Sequence, residues 1–207
     1  MPSVGLITTA NDRKNAALQP LAVERTALVV VDIQEKLLPP IHEKERLLRN
    51  AQLLLRLAGV LNLPVLATTQ YAKGLGPTVP QVAELFPAST QPMDKLEFGC
   101  FGNEAFCGAV RDLGHNRDAL LVCGMETHIC VLQTVLGALK EGYAVHVAAD
   151  ACGSRPTPGD DKALNWRLGL ERMRDAGAVI SSTEAAIYEL LRGSGTAEFK
   201  RMLAYLK

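Results

Sequence analysis

What this chain lacks narrows its function before any motif is read. Its 207 residues carry no excess of either charge sign, since Lys plus Arg and Asp plus Glu both total 22 for a formal net charge of +0. Without a bulk field to gather polyanions, neither nucleic acid nor an anionic membrane is an expected partner. No apolar run approaches the roughly 20 residues needed to cross a bilayer, and the run Ala27 to Val31 ends at Asp32. The N-terminal stretch holds Asn11, Asp12, Arg13 and Lys14 and no apolar segment of signal-peptide length, so a cytoplasmic protein is expected. Repeats, low-complexity tracts and linkers are missing too, and nothing marks an internal boundary. Residues 1–20 are expected to form an arm ahead of a single domain over 21–207.

Several motifs are also missing. Gly74-Leu-Gly76 lacks the third glycine of a dinucleotide fingerprint and sits in a Pro-rich stretch, and no phosphate loop with Gly-Lys-Ser/Thr occurs. Cys100 and Cys107, like Cys123 and Cys130, stand seven apart, too far for the close ligand pairs of structural zinc. His42, His115, His128 and His146 are scattered, and no Gly-x-Ser-x-Gly elbow accompanies them. The five cysteines are an odd count. That fits a reducing compartment better than a closed disulfide framework and leaves at least one thiol unpaired.

What is present alternates. Ala27 to Asp32, Pro64 to Thr69, Ala119 to Cys123, Tyr143 to Ala149 and Ala178 to Ile180 are short apolar runs rich in β-branched residues, the pattern of strands covered on both faces. Helical spacing is found over Leu47–Leu61, Asn103–Leu113, Thr127–Glu141, Lys162–Ala176 and Thr183–Leu191. Right-handed crossovers between such units give a three-layer α/β/α, Rossmann-like domain on a mostly parallel sheet, expected to be six-stranded. Ligands bind such sheets outside the carboxyl ends of the strands.

Three residues stand at those ends or beside them. Asp32 closes the first strand, where a carboxylate is costly to bury without a partner; the plainer reading is a turn cap. Cys130 follows the third clear strand and a glycine turn, at a helix opening whose N–H groups are expected to lower a thiol's pKa and to cradle an oxyanion. The plainer reading is a buried structural cysteine, which suits Cys123 well. Lys95 alone reads as a solvated lysine, and its interest lies in combination. A carboxylate, an ammonium and a thiol together can hold a thiolate, accept its proton and return that proton to a leaving group. His128 is a weaker alternative base.

With those residues in view the chain resembles the isochorismatase-like superfamily of cysteine hydrolases over roughly Ala27 to Tyr188. The resemblance rests on Val30-Val-Asp-Ile-Gln34, on Lys95-x-x-Phe98-Gly-x-Phe101 and on Cys123-Gly-Met-Glu-Thr-His-Ile-Cys-Val131. The stretches Gln70 to Pro80, Asp150 to Arg155 and Glu171 to Arg174 look like the isochorismatase-domain-containing protein 2 branch. The resemblance implies Cys130 as nucleophile, Asp32 as general base and then acid, and Lys95 as the cation supporting both. It also implies a cis peptide at Met125-Glu126, with the N–H groups of Glu126 and Cys130 as the oxyanion hole.

Gln34, Tyr71 and Phe98 are the pocket candidates, and Phe101 is either pocket or core. Nicotinamidases of this superfamily hold a metal through an Asp-x-His arrangement. Here the sequence reads Thr68-Thr-Gln-Tyr71, so no metal and no other cofactor is expected. The implied function is hydrolysis of a C–N bond in a small amide or related acyl substrate through a thioester. The rivals are a non-catalytic scaffold and a redox pair of Cys130 with Cys123. A homo-oligomer is expected, from family habit and from late apolar positions read as exposed: Ile187, Leu190, Leu191, Met202, Leu203 and Leu206.

Overall fold

The computed structural model describes residues 18–159 and 161–206, so the expected N-terminal arm lies outside it except for 18–20. Six strands form one sheet in the order β3-β2-β1-β4-β5-β6, and every neighbouring pair is parallel. They are β1 Thr26–Val31, β2 Val65–Gln70, β3 Met93–Lys95, β4 Ala119–Met125, β5 Ala144–Gly153 and β6 Val179–Ser181. The helices in chain order are α1 Lys44–Leu61, the single turns α2 Ala72–Leu75 and α3 Pro80–Ala83, α4 Glu104–Asp112, α5 Leu132–Lys140, α6 Leu164–Ala176, α7 Thr183–Leu191 and α8 Ala197–Leu206.

The continuous apolar strands are explained by burial on both faces. Along β1, Leu28 and Val30 face a core shared with Leu47, Leu54 and Leu55 of α1, Ile187 and Leu190 of α7 and Met202 of α8. Ala27, Val29 and Val31 face the opposite core, built with Phe106 and Val110 of α4, Val135 and Ala138 of α5 and Leu170 and Met173 of α6. A strand between two helix layers has no solvent face to alternate toward.

Three elements depart from expectation. β3 has no apolar run, and its three residues join the sheet through Thr68–Met93, Thr69–Asp94 and Gln70–Lys95 register. β5 runs past Ala149 to Gly153, because a register shift between Val122 and Gly124 lets Cys152 and Gly153 pair with Gly124 and Met125. The late apolar positions are a correction: Ile187, Leu190, Leu191 and Met202 are buried in the chain's own core, and Leu203 and Leu206 are half-buried. Unpredicted α8 packs on α1, and Met202 joins Ile187, Leu190 and Leu191 in the core against that helix.

The chain moves outward from β1 to β3, then crosses to β4 on the other side of β1. That makes the gap between the carboxyl ends of β1 and β4 the switch point where such sheets take ligands. Gly124 lets the two strands close there. At its φ of 126° a Cβ would lie 2.1 Å from the Val31 carbonyl oxygen, so no other residue fits.

Candidate active site

Asp32 is the first residue past β1 and adopts φ 52°, in the left-handed region that Asp tolerates better than most residues. That turn directs its carboxylate into the protein rather than to solvent. Its Oδ2 meets Lys95 Nζ at 2.7 Å, with both side chains 0% exposed. Its Oδ1 accepts from Thr68 Oγ1 at 2.7 Å. Lys95 ends β3 and is far from the solvated lysine its type suggests. It also donates to Gln70 Oε1 at 2.8 Å and to the Glu97 and Phe98 carbonyls at 3.2 Å each. Four acceptors surround three N–H donors, so none is left over for a substrate.

Cys130 lies on the other side of the switch point. The expected helix Thr127–Glu141 is split into a π-helical turn, Thr127–Val131, and α5, and the turn carries the thiol. Such turns recur at functional sites because they aim one side chain differently from its neighbours. Cys130 is 6% exposed, and its Sγ stands 4.0 Å from Gln70 Oε1. The expected lowering of its pKa does not occur. Burial pushes the thiol up to about 12, the Asp32 carboxylate adds to the effect and Lys95 opposes it. Desolvation outweighs the helix N-terminus here, so the thiol is protonated at neutral pH.

The peptide Met125-Glu126 is cis. The Glu126 side chain turns away from Cys130 to Arg155, which donates to it from its backbone N–H at 2.8 Å and through Nε at 2.9 Å and 3.0 Å, with a further contact from Nη2. Burial would raise the Glu126 carboxyl, but Arg155 holds it below the usual carboxylate range. His128 turns its Nδ1 to Ser154 Oγ at 3.0 Å, and burial lowers its pKa. Its ring is engaged on the β5 side of the turn.

The pocket candidates are placed differently from one another. Gln34 is fully buried; it donates to the Gln70 and Gly76 carbonyls at 3.1 Å and 2.7 Å and accepts from Gln70 N–H at 2.7 Å. It ties β2 to the loop beyond, and holds Gln70. Tyr71 and Phe98 are exposed, with Leu96 beside them on the chain. Phe98 lines a hollow of about 340 Å³ with Phe101, Gln133 and Lys140. Phe101 is partly buried: it packs edge-on to Phe106 with ring centres 5.3 Å apart while also lining the hollow. A second cleft, about 310 Å³ and bordered by His42, Arg46, Ser154, Lys162 and Trp166, lies beyond β5 and does not include Cys130.

Gln70 is the residue that reading the sequence missed. Its side-chain oxygen accepts from Lys95 and faces Cys130, while its Nε2 donates to the Leu96 carbonyl at 2.9 Å. It is the last residue of β2, so the strand-end rule applied to that strand finds it. Among the described residues no group of three His, Cys, Asp or Glu side chains is placed to hold a metal ion, and all five cysteines are free.

The all-parallel α/β sheet brings a buried carboxylate, lysine and cysteine to its switch point. The Isochorismatase domain family matches residues 26–185, and the chain belongs to that family. It is 34% identical over 192 residues to mouse isochorismatase domain-containing protein 2A, covering 93% of this chain and 87% of that one. A Caenorhabditis elegans structure described as MAR1 ribonuclease superposes with a TM-score of 0.82 at 30% identity, covering 91% of this chain and 92% of that one. The Escherichia coli YcaC gene product, described as an octameric hydrolase of unknown specificity, gives 0.81 at 28% identity and 90% coverage of both. No helix among the described residues is long and apolar enough to cross a membrane.

Proposed function

We propose that the protein is a cysteine-dependent hydrolase of a small amide or related acyl substrate, working through a thioester on Cys130. The observation that carries this reading is the wholly buried Asp32–Lys95 pair set beside a nearly buried thiol. Because the thiol is held in its protonated form, the nucleophile is made during attack. Asp32 takes the proton from Cys130 Sγ as sulfur bonds to the carbonyl carbon, and the N–H groups of Glu126 and Cys130 receive the oxygen. Asp32 then gives that proton to the leaving nitrogen, the C–N bond breaks, and the thioester remains. Water, deprotonated by Asp32, attacks the thioester; carboxylic acid and thiol are restored. Lys95 pairs with the carboxylate at 2.7 Å and balances its charge, and Gln70 orients the ammonium.

Phosphodiester cleavage suits this site less well. Lys95 and Arg155 are both engaged with carboxylates, so neither is free to bind a phosphate. The low exposure of Cys130 restricts the substrate to a small one. Free thiols throughout fit a reducing, cytoplasmic setting, and exposed Tyr71, Leu96 and Phe98 beside the site, together with the YcaC octamer, support a homo-oligomer.

The test is a screen of small amides and ureides for product release, with Cys130→Ala as blank and mass spectrometry for the acyl-enzyme. Turnover lost in Cys130→Ala and in Asp32→Asn is the expected result. Turnover that survives either substitution overturns the mechanism.

A further inference from the structure

Behind Asp32 a line of buried groups, unused by the chemistry above, runs from the base to the helix that follows the nucleophile. Thr68 Oγ1 donates to Asp32 Oδ1 at 2.7 Å. A carboxylate only accepts, so this bond uses the hydroxyl's one proton and leaves its oxygen as an acceptor. The Cys100 sulfur lies 3.7 Å from that oxygen. Burial pushes Cys100 up to about 11, so it holds its proton at neutral pH and Thr68 is the acceptor available to it. Thr134 Oγ1 donates to Cys100 Sγ at 3.1 Å and accepts from the Cys100 backbone N–H at 3.1 Å.

The three residues come from β2, from the short 3-10 turn Cys100–Gly102 and from α5, and all are buried. Thr134 stands one helical turn after Cys130. Every donor in the line points the same way, from Thr134 through Cys100 and Thr68 to Asp32, and bonds in such a chain polarise one another. Valine has the shape of threonine, so packing alone gives no reason for the two hydroxyls here.

We infer that Thr68, Cys100 and Thr134 are positioning residues, a directional hydrogen-bond line that holds Asp32 ready to accept a proton and fixes its distance from Cys130. This rests on the reading of Asp32 as general base. No proton travels along the line. The titratable groups facing Asp32 are Lys95 from β3, Cys130 from the π-helical turn and Cys100 from the 3-10 turn.

The experiment needs no substrate. The full-length protein is treated with iodoacetamide across the acid range, and carboxamidomethylation of the Cys130 peptide is followed by mass spectrometry. Thr68→Val removes a donor to a buried carboxylate and favours its protonated form. The acid midpoint of Cys130 labelling is expected to rise by about one pH unit, or roughly tenfold in rate on the acid limb. Cys100→Val and Thr134→Val shift it less in the same direction, and Thr68→Ser and Cys100→Ser restore the wild-type profile, a rescue that lost packing does not predict. Asp32→Asn serves as the reference and removes the acid limb. If the limb persists in Asp32→Asn, the general-base reading falls and this inference with it. If Asp32→Asn removes the limb but Thr68→Val keeps the wild-type midpoint, the inference alone is overturned.

Discussion

β1 carries an ion pair beyond each end, and the two differ in everything except length. Before the strand, Arg25 meets Asp118, the residue preceding β4, at 2.7 Å with side chains 39% and 49% exposed. After it, Asp32 meets Lys95 at the same 2.7 Å with both at 0%. Desolvating two charges costs several kcal/mol per ion, whereas an exposed pair contributes under about 1 kcal/mol and sacrifices little. The first pair links two strand starts at a water-facing edge. The second sits at the switch point, where ligands bind such sheets, and is held by Thr68 and Gln70 of β2 and by the Glu97 and Phe98 carbonyls. Buried charge at the carboxyl ends is therefore better explained by chemistry than by stability.

The harshest way to break the comparison is to strand one buried charge. Lys95→Met is expected to destabilise the protein by about 3 to 5 kcal/mol, because Asp32 is left unpaired. The combined variant Asp32→Asn/Lys95→Met leaves no charge behind and suits the left-handed backbone at position 32. It is expected to recover much of that loss while Cys130 labelling stays slow. Urea denaturation of both variants beside Arg25→Met is the measurement, and equal losses for Lys95→Met and Arg25→Met would sink the distinction.

A second contrast concerns thiols. Burial pushes Cys130 and Cys152 up to about 12 and Cys100 up to about 11, all near the carboxyl ends of the strands. A thiol whose folded value lies above its unfolded one stabilises the protein fully below the unfolded value, and that contribution fades as pH climbs through the folded value. The urea midpoint is thus expected to fall from about pH 9 upward, each such thiol contributing about 1.4 kcal/mol per pH unit. Cys152→Ala should make the decline shallower when compared slope for slope with wild type; an unchanged slope would count against burial as the cause.

Between the two extremes stands Arg155–Glu126, with 55% and 6% exposure. Arg155→Ala is expected to cost about 1 to 2 kcal/mol, less than Lys95→Met because water reaches one partner. The Glu126 carboxyl is depressed by Arg155, so this contribution is present above the unfolded carboxyl value and lost as pH falls through the folded one. Acid titrations of stability for wild type and Arg155→Ala should therefore converge at low pH. Curves that stay parallel would show that the pair is not their source.

Part of the carboxyl end was legible in the amino-acid order, whereas the Arg25–Asp118 pair at the other end was not. Asp32 follows a five-residue apolar run, and Cys130 comes after the run Ala119–Cys123 and Gly124; those runs placed Asp32 at a strand end and Cys130 at a helix opening. Lys95 was legible only through family likeness, because a three-residue strand with one side chain buried has no period to read. Thr68, Cys100 and Thr134 meet across 32 and 34 positions of sequence, where no local rule reaches. The direction of the Cys130 shift was misjudged for a related reason: the helix terminus is a local feature, while the desolvation that overrides it is made by distant segments. α8 went unread for the same cause, and with it the burial of Ile187 and Met202.

The mildest perturbation tests the exposed end by itself. Arg25 meets both Asp118 oxygens, through Nε and Nη2 at 2.7 Å each, and its Nη1 donates to Gln19 at 2.8 Å. Two-point geometry is the best an exposed pair achieves, yet 39% and 49% of the two side chains face water and salt screens what attraction remains. Arg25→Ala should lower stability by less than about 1 kcal/mol, and the difference from wild type should shrink further in high salt. Labelling of Cys130 should not change, since the pair lies at the other end of β1. A loss comparable to that of Lys95→Met, or one indifferent to salt, would mean that burial is not what separates the two ends of this strand.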